Sequence, residues 1–278
     1  MVSACRSRGW RPAVSVAAVV LVAAGGLAAL SAGGAAAQAA DAVAEQHDER
    51  ALEIARRMAT ALSNAKSLRL TADIAYDAVQ EDGQVIEFGA SRTFALRRPD
   101  RARMEVLDRS GARIVFLYDG ERIVLSDESH NVYAAAAHRG DLNSMQAYAR
   151  SELRVTTPLS EFLSPNLFEI LAASDSVRWV DEQTLNGVRC DHLVFRNAKK
   201  GLQIWVPQEG DPLPGRVVIT YENARGRPQF RADLRDWELS PELGDALFEF
   251  TPARDAECIY FNTGVGILPG LPFEEESR

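Results

Sequence analysis

The stretch from Arg92 to Ala134 contains a closely spaced series of strand and turn signals. Asp119-Gly120 lies between two apolar runs, residues 113–118 and 122–125. Asp-Gly in this setting is a strong short-range indication of a β-hairpin, because glycine adopts the positive φ that such turns need. The stretch therefore predicts a sheet of consecutive antiparallel strands. Two more turns are predicted within it, at 97–100 and 110–111, and one more strand is predicted at 103–107.

Strand signals continue on both sides of this stretch. Residues 68–79 alternate with period two, and a hairpin turn connects them to a strand predicted over 85–96. Asn186-Gly187 marks another hairpin. Because the strands do not alternate with helices, a parallel α/β fold is excluded. The sequence predicts an α+β fold: one strongly curved antiparallel sheet of about eleven strands, an open and incomplete β-barrel, with helices against its concave face. The later strands are predicted at 177–180, 189–196, 201–207, 216–221, 230–237, 248–250 and 257–261.

Two regions carry helical signals. Apolar residues recur at helical spacing over 49–65, which predicts a helix whose apolar stripe packs on the sheet. A second helical region is predicted over 141–173, where Thr157 is the expected N-cap of a short helix that begins at Pro158. This strongly apolar region is interpreted as a layer covering one sheet face. A movable lid over an apolar groove is the alternative.

Residues 1–40 have the composition of a targeting segment. Basic residues precede an apolar run over 13–30, and small residues then form an Ala-x-Ala cleavage pattern. The segment is predicted to be a signal peptide that is cleaved, so the mature protein is exported. A retained transmembrane anchor is the alternative, because the apolar run is about long enough to span a membrane. Residues 41–262 are predicted to form one domain, and residues 263–278 a flexible acidic tail.

The formal net charge of the chain is -8. An acidic balance argues against nucleic acid and against an anionic membrane surface as the main partner. It favours a soluble protein over one embedded in a membrane.

Cys190 and Cys258 are the two cysteines beyond the targeting segment. An oxidising compartment permits a disulfide between them. The alternative is two separate thiols that act as small buried hydrophobic groups.

No pattern in the sequence indicates catalysis or a metal. The four histidines lack metal-ligand spacing. His192 follows Asp191 within a predicted strand, where neighbouring side chains face opposite sides, so the two cannot form a dyad. Neither Gly-x-Ser-x-Gly nor a glycine-rich phosphate loop occurs. We expect a protein that is not an enzyme and needs no metal or cofactor.

Nine sequence blocks together carry a family resemblance. They are EDGQVIEF (81–88), RRPDRARMEV (97–106), LYDGERIVL (117–125), NVYAAA (131–136), PLSEFL (158–163), NGVRCDHLVFR (186–196), LQIWVPQEGDPLPGRVVITY (202–221), RPQFRADLRDW (227–237) and FEFTPARDAECIYF (248–261). These blocks resemble a family of predicted exported bacterial proteins of unknown function, the DUF2092-type family. That family belongs to the superfamily of the periplasmic lipoprotein carriers LolA and LolB.

The resemblance implies a periplasmic protein of a Gram-negative bacterium, with an open barrel whose apolar interior is covered by helices. It implies a non-enzymatic function, the binding or carrying of a hydrophobic ligand such as a lipid or an acylated protein. The alternative is a sensor or interaction module of the envelope that binds a protein partner. Nothing in the resemblance assigns catalytic residues.

Strand alternation and the apolar helical region supply candidates for the wall of a hydrophobic cavity. Each is also a plausible ordinary core residue. The arginines of the 97–103 turn are interpreted as solvated, with an acidic partner or headgroup as the alternative. The cavity candidates are Ile114, Phe116, Tyr118, Phe162, Phe168, Trp205 and Phe230, and the turn arginines are Arg97, Arg98, Arg101 and Arg103.

Overall fold

The computed structural model describes residues 47–155 and 158–261. The predicted signal peptide (1–40), the acidic tail (263–278) and the N-cap Thr157 lie outside the described residues. Among the helices within residues 47–155 and 158–261, none combines the length and the apolar character that a membrane span needs.

Within these two ranges, twelve strands form one curved, unclosed sheet, which confirms the predicted fold class. The strand order is β12-β6-β5-β4-β3-β2-β1-β11-β10-β9-β8-β7, and all neighbours are antiparallel except the parallel pair β12 and β6. The strands are β1 Ser67–Val79, β2 Val85–Arg97, β3 Arg101–Asp108, β4 Arg113–Tyr118, β5 Arg122–Asp127, β6 Val132–Ala137, β7 Ser176–Leu185, β8 Val188–Arg196, β9 Lys200–Pro207, β10 Arg216–Tyr221, β11 Gln229–Leu239 and β12 Glu257–Ile259.

The hairpin turns form where the sequence predicts them. At the β4–β5 turn, Gly120 has φ +86°, and Asp119 Oδ1 accepts hydrogen bonds from the amides of Glu121 and Arg122. At the β7–β8 turn both central residues have positive φ, +50° at Asn186 and +84° at Gly187. This is the backbone conformation for which Asn-Gly is favoured.

Among the described residues, three α-helices accompany the sheet: α1 Glu49–Asn64, α2 Leu142–Ser151 and α3 Leu167–Ala172, with a 3-10 turn at Ser160–Leu163. The helix α1 begins after Asp48, whose side chain accepts hydrogen bonds from the amides of Arg50 and Ala51. Asp141 caps α2 through the amide of Ser144. Side-chain caps of this kind satisfy amides that have no partner within the helix.

The main core lies between the concave sheet face and the helices. The buried stripe of α1 joins the inward side chains of the strands in one continuous cluster. On β1 these side chains follow the predicted alternation: Leu68, Leu70, Ala72, Ile74 and Tyr76. Smaller clusters lie apart from this core.

The strand predicted at 248–250 is wrong. Residues Asp245–Phe248 form a 3-10 turn. Phe248 is buried against Ala95 and Leu243, and the Arg97 guanidinium lies 5.4 Å from its ring centroid. Because Ala95 lies between two strand residues that face the main core, this cluster occupies the opposite, convex face. The apolar pattern reflects docking of one ring onto the sheet, not strand pairing.

The disulfide considered between Cys190 and Cys258 is also wrong. Cys190 is a buried free thiol. Its strand β8 lies near one edge of the sheet, whereas β12, which carries Cys258, is the strand at the other edge. A disulfide requires Cα atoms within about 7 Å, and no register of neighbouring strands brings these two together.

Candidate functional site

Six of the seven predicted cavity residues lie on the concave face. Phe116, Tyr118, Phe162 and Phe230 are buried members of the main core, and Ile114 and Phe168 pack against it from partly buried positions. The structure therefore gathers side chains from β4, β11 and the helical region onto one apolar surface.

The placement of Trp205 on the cavity wall is corrected. Its neighbours Ile204 and Val206 face the main core, so Trp205 faces the convex side, in a separate cluster with Cys190 and Val218. There its ring stacks on His192, with centroids 4.2 Å apart and an interplanar angle of 6°. Its Nε1 donates a 2.9 Å hydrogen bond to Gln183 Oε1. The pattern of β9 carried a signal for this: Trp205 alternates with Gln203, whereas Leu202, Ile204 and Val206 form a face that is apolar throughout.

The first helix is held at its N-terminal end by a buried acid. Asp191 Oδ1 accepts hydrogen bonds of 2.8 Å from Arg50 Nη2 of α1 and from Trp179 Nε1 of β7. The Arg50 guanidinium also lies 3.9 Å from the Trp179 ring centroid. Asp191 faces the helices while His192 faces the convex side, which agrees with the prediction that they form no dyad.

The C-terminal end of α1 is held by Arg98, so the interpretation of Arg98 as a solvated turn residue is wrong. Its Nε donates to Ala65 O at 3.2 Å and its Nη2 to Leu163 O at 3.0 Å, with a longer contact of 3.5 Å to Leu62 O. Burial lowers the pKa of Arg98. The last carbonyls of a helix lack partners within the helix, and Arg98 supplies donors to them.

An arginine and four aromatic side chains occupy the concave face on the side toward the β1–β2 turn. We call this group the arginine–aromatic cluster; its members are Tyr76, Phe88, Arg92, Tyr221 and Phe230. Arg92 has no exposed surface and lies in the sheet between Ala72 and Val106. Its guanidinium lies 5.8 Å from the Phe230 ring centroid. The Tyr76 and Phe88 rings stack at 5.8 Å.

Arg92 carries an unsatisfied charge. Over residues 47–155 and 158–261, its Nε, Nη1 and Nη2 are all buried and without a hydrogen-bond partner. Burial lowers the pKa of Arg92 to about 10, against the opposing influence of Tyr76 and Tyr221. The guanidinium therefore remains charged at neutral pH. Sequence reasoning missed this residue, although the signal was present: Arg92 occupies an inward position in an alternating strand, between Ala90 and Phe94.

The same face of β2 reaches solvent at its other end. Ile86 and Phe88, which alternate in step with Arg92, are 37% and 45% exposed. Tyr76 then connects Phe88 to the buried part of the cluster. A row of packed side chains, Ile86, Phe88 and Tyr76, thus runs along the concave face from solvent toward the buried Arg92.

The convex face carries a feature of different character. A groove of about 590 Å³ is lined mainly by polar residues at the ends of β8 to β11. Glu222 and Arg227 form a 2.6 Å ion pair in it. A Cβ at Gly201 would lie 3.1 Å from Glu222 Oε1, so the glycine lets this carboxylate approach the strand closely. The lining residues are Val194, Arg196, Gly201, Leu202, Gln203, Thr220, Glu222, Arg227 and Gln229.

Comparison with known proteins gives one family match. A family model described as a predicted periplasmic protein (DUF2092) matches residues 51–262. No curated protein matches the chain.

Several solved structures are similar at low sequence identity. An uncharacterized conserved protein from Thermus thermophilus is 15% identical, with a TM-score of 0.44, and the match covers 76% of this chain and 99% of that one. The lipoprotein LppX from Mycobacterium tuberculosis is 11% identical, with a TM-score of 0.43 and coverage of 70% and 98%. A LolA superfamily protein from Nitrosomonas europaea is 10% identical, with a TM-score of 0.33 and coverage of 72% and 97%.

An open curved sheet with helices over an apolar concave face defines an α+β protein of the incomplete-barrel class. The chain belongs to the DUF2092 family of predicted periplasmic proteins, an assignment that rests on the match over residues 51–262. The family resemblance and the periplasmic location expected from the sequence are thereby confirmed.

Proposed function

We propose that this protein is a non-enzymatic periplasmic protein that binds or carries a hydrophobic ligand, either a lipid or the acyl chain of a modified protein. The observation that carries the proposal is the continuous apolar concave face, which lies beneath helices and reaches solvent at Ile86 and Phe88. Each methylene of an acyl chain that leaves water for such a surface contributes roughly 0.8 kcal/mol.

The way the helical cover is attached supports the proposal. The two ends of α1 are tied to the sheet by polar contacts of Asp191 and Arg98, whereas its middle rests on apolar side chains. Apolar contact is not directional. The acyl chain of a ligand can therefore cover the same sheet surface as the apolar side chains of the helix. A ligand can therefore replace part of the helix packing without leaving polar groups unpaired.

The test compares an inner-face and an outer-face variant of the delipidated protein. The neutral dye N-phenyl-1-naphthylamine reports apolar binding, and native mass spectrometry of protein recovered from the periplasm reports any bound lipid. We expect Phe230→Leu to weaken dye binding several-fold and Trp205→Leu, which changes the convex face, to leave it unchanged. A protein that binds neither dye nor lipid, or equal effects of the two variants, contradicts the proposal.

A protein partner is the second candidate function, and the convex groove favours it. A groove that presents Arg196, Arg227 and Glu222 suits a partner surface of mixed charge better than an acyl chain. Crosslinking in the periplasm followed by affinity capture tests this function. Arg227→Glu should abolish a specific crosslinked species while dye binding persists. Capture that is insensitive to this change argues against the groove as the binding surface.

The processing of the chain is part of the proposal. We infer that residues 1–40 are removed as a signal peptide, and that residues 41–262 form one domain followed by an acidic tail. The family match over residues 51–262 supports the extent of the domain. N-terminal sequencing of protein recovered from the periplasm tests the cleavage. An intact N-terminus in the membrane fraction indicates a retained anchor instead.

A further inference from the structure

Arg92 is placed where a charge is least favourable. It is completely buried in the main core, beside Ala72, Val106 and Phe230. A buried ionised group is strongly destabilising unless it is paired and hydrogen-bonded. Within the described residues, none of its side-chain nitrogens has a hydrogen-bond partner. The surrounding rings provide only weak compensation, since the contact with Phe230 is long for a cation–π interaction.

The position of Arg92 also connects it to the row of side chains that begins at the exposed residues Ile86 and Phe88. It shares a strand face with the exposed residues Phe88 and Ile86, at the inner end of the arginine–aromatic cluster. A ligand that displaces this packing from its exposed end meets aromatic rings first and then a single fixed cation. That order of contacts suits a molecule with an apolar part and one anionic group.

We propose that Arg92 binds the anionic headgroup, a carboxylate or a phosphate, of an amphiphilic ligand whose tail lies on the concave face. The proposal rests on the proposed function, because it names the chemical class of the ligand at the same surface. The guanidinium presents donors in a planar fork that pairs with two oxygens of a carboxylate or phosphate. Such a headgroup supplies the acceptors that the described part of the chain does not.

The experiment measures displacement of N-phenyl-1-naphthylamine from delipidated protein by dodecanoate, dodecyl phosphate and 1-dodecanol at neutral pH. The three competitors share one tail and differ in the headgroup. The proteins are the wild type, Arg92→Met, which removes the charge at similar volume, and Arg92→Lys, which keeps the charge but loses the fork. Acetate and inorganic phosphate, tested by thermal unfolding, report binding of a free anion without a tail.

We expect at least one anionic competitor to bind the wild type at least about tenfold more tightly than dodecanol, since one hydrogen bond to a charged group accounts for that ratio. Arg92→Met should bind all three equally, at the affinity of dodecanol, and Arg92→Lys should be intermediate. Without ligand, Arg92→Met should unfold at a higher urea concentration than the wild type, because it removes an unpaired buried charge.

The outcomes separate the two proposals. Equal affinities for the charged and neutral competitors in the wild type, or a preference that survives in Arg92→Met, overturn the headgroup site alone and leave the proposed function standing. Binding of none of the three overturns the proposed function as well. Stabilisation by acetate or inorganic phosphate, with no preference among the amphiphiles, identifies a free-anion site and overturns the headgroup assignment.

Discussion

The Nη2 atom of Arg98 donates a 3.0 Å hydrogen bond to the backbone carbonyl of Leu163. Through Nε the same guanidinium reaches Ala65 O, just beyond the end of α1. One side chain at the end of β2 therefore joins the first helix to the 3-10 turn of the helical region. The cover over the concave face depends on this junction.

Replacing Arg98 by Met should loosen the cover. The carbonyls of Leu163 and Ala65 lose a charged donor, which we expect to lower the free energy of unfolding by about 2 kcal/mol. Hydrogen exchange measured by mass spectrometry should become faster in segments 49–65 and 158–173. The matched control is Arg97→Met, since Arg97 contacts Leu243 O and Asp245 on the convex side. Exchange in that variant should change near 241–249 only.

Replacing Asp48 by Ala should destabilise the start of α1. The Asp48 side chain accepts from the amides of Arg50 and Ala51 and, at 3.3 Å, from the amide of Trp179 in β7. We expect a loss of about 1 to 2 kcal/mol in urea unfolding, at the upper end for an N-cap because a strand amide is also left unpaired. Asp48→Asn should recover most of the loss. An unchanged midpoint in Asp48→Ala rules out this double role.

Glu105 should contribute to stability at neutral pH and not in acid. Although burial raises its pKa, hydrogen bonds from Arg113 at 2.6 Å and Arg103 at 2.7 Å outweigh that effect, and the pKa is lowered below its ordinary value of 4.5. A carboxyl with a lowered pKa stabilises the fold above its ordinary pKa, and that contribution is lost as the pH falls through the folded-state value.

Glu105→Gln should therefore be less stable than the wild type by about 1 kcal/mol at neutral pH, and the difference should shrink as the pH falls below 4.5. Urea unfolding as a function of pH measures both values. Glu121→Gln is the control, because Glu121 and Arg139 are 69% and 81% exposed and their ion pair should contribute little. A difference that stays constant into acid contradicts the assignment.

Cys190 should be unreactive in the folded protein. Burial raises the pKa of its thiol, and the neighbouring Asp191 carboxylate raises it further. Since the thiolate is the reactive form, iodoacetamide should modify Cys190 only after unfolding in urea. Mass spectrometry of the peptide that contains Cys190 measures this. If Cys190 is modified in urea only after a reductant is added, it forms a disulfide, which contradicts the free thiol of the structure.

The sequence predicted the parts of the fold that are coded locally. Asp119-Gly120 and Asn186-Gly187 define their hairpins because the turn geometry depends on the turn residues themselves. The apolar stripe of α1 could be predicted for the same reason, since helical periodicity is a property of adjacent turns of one helix. Such features do not depend on residues far away in the chain.

The misplaced residues depend on distant parts of the chain. Trp205 shares its face of β9 with the polar Gln203, and the residues that bury it there, Cys190 and Val218, lie on other strands. The alternation of residues 248–250 is typical of a strand. The contact that explains the burial of Phe248 is with Ala95, which is remote in sequence and therefore not visible in the local pattern. Arg92 was overlooked because an inward arginine conflicts with the expectation of an apolar face, and its significance appears only when its burial is known.

The strand β1 joins two locally built halves of the sheet, β2 to β6 on one side and β7 to β11 on the other. Its register with β11 pairs residues as distant as Leu68 and Leu239. Because β11 comes near the end of the domain, one edge of β1 stays unpaired until almost the whole domain is present. The complete sheet therefore cannot be assembled before β11 is available, and until then the chain has a long, unpaired strand edge that is open to aggregation.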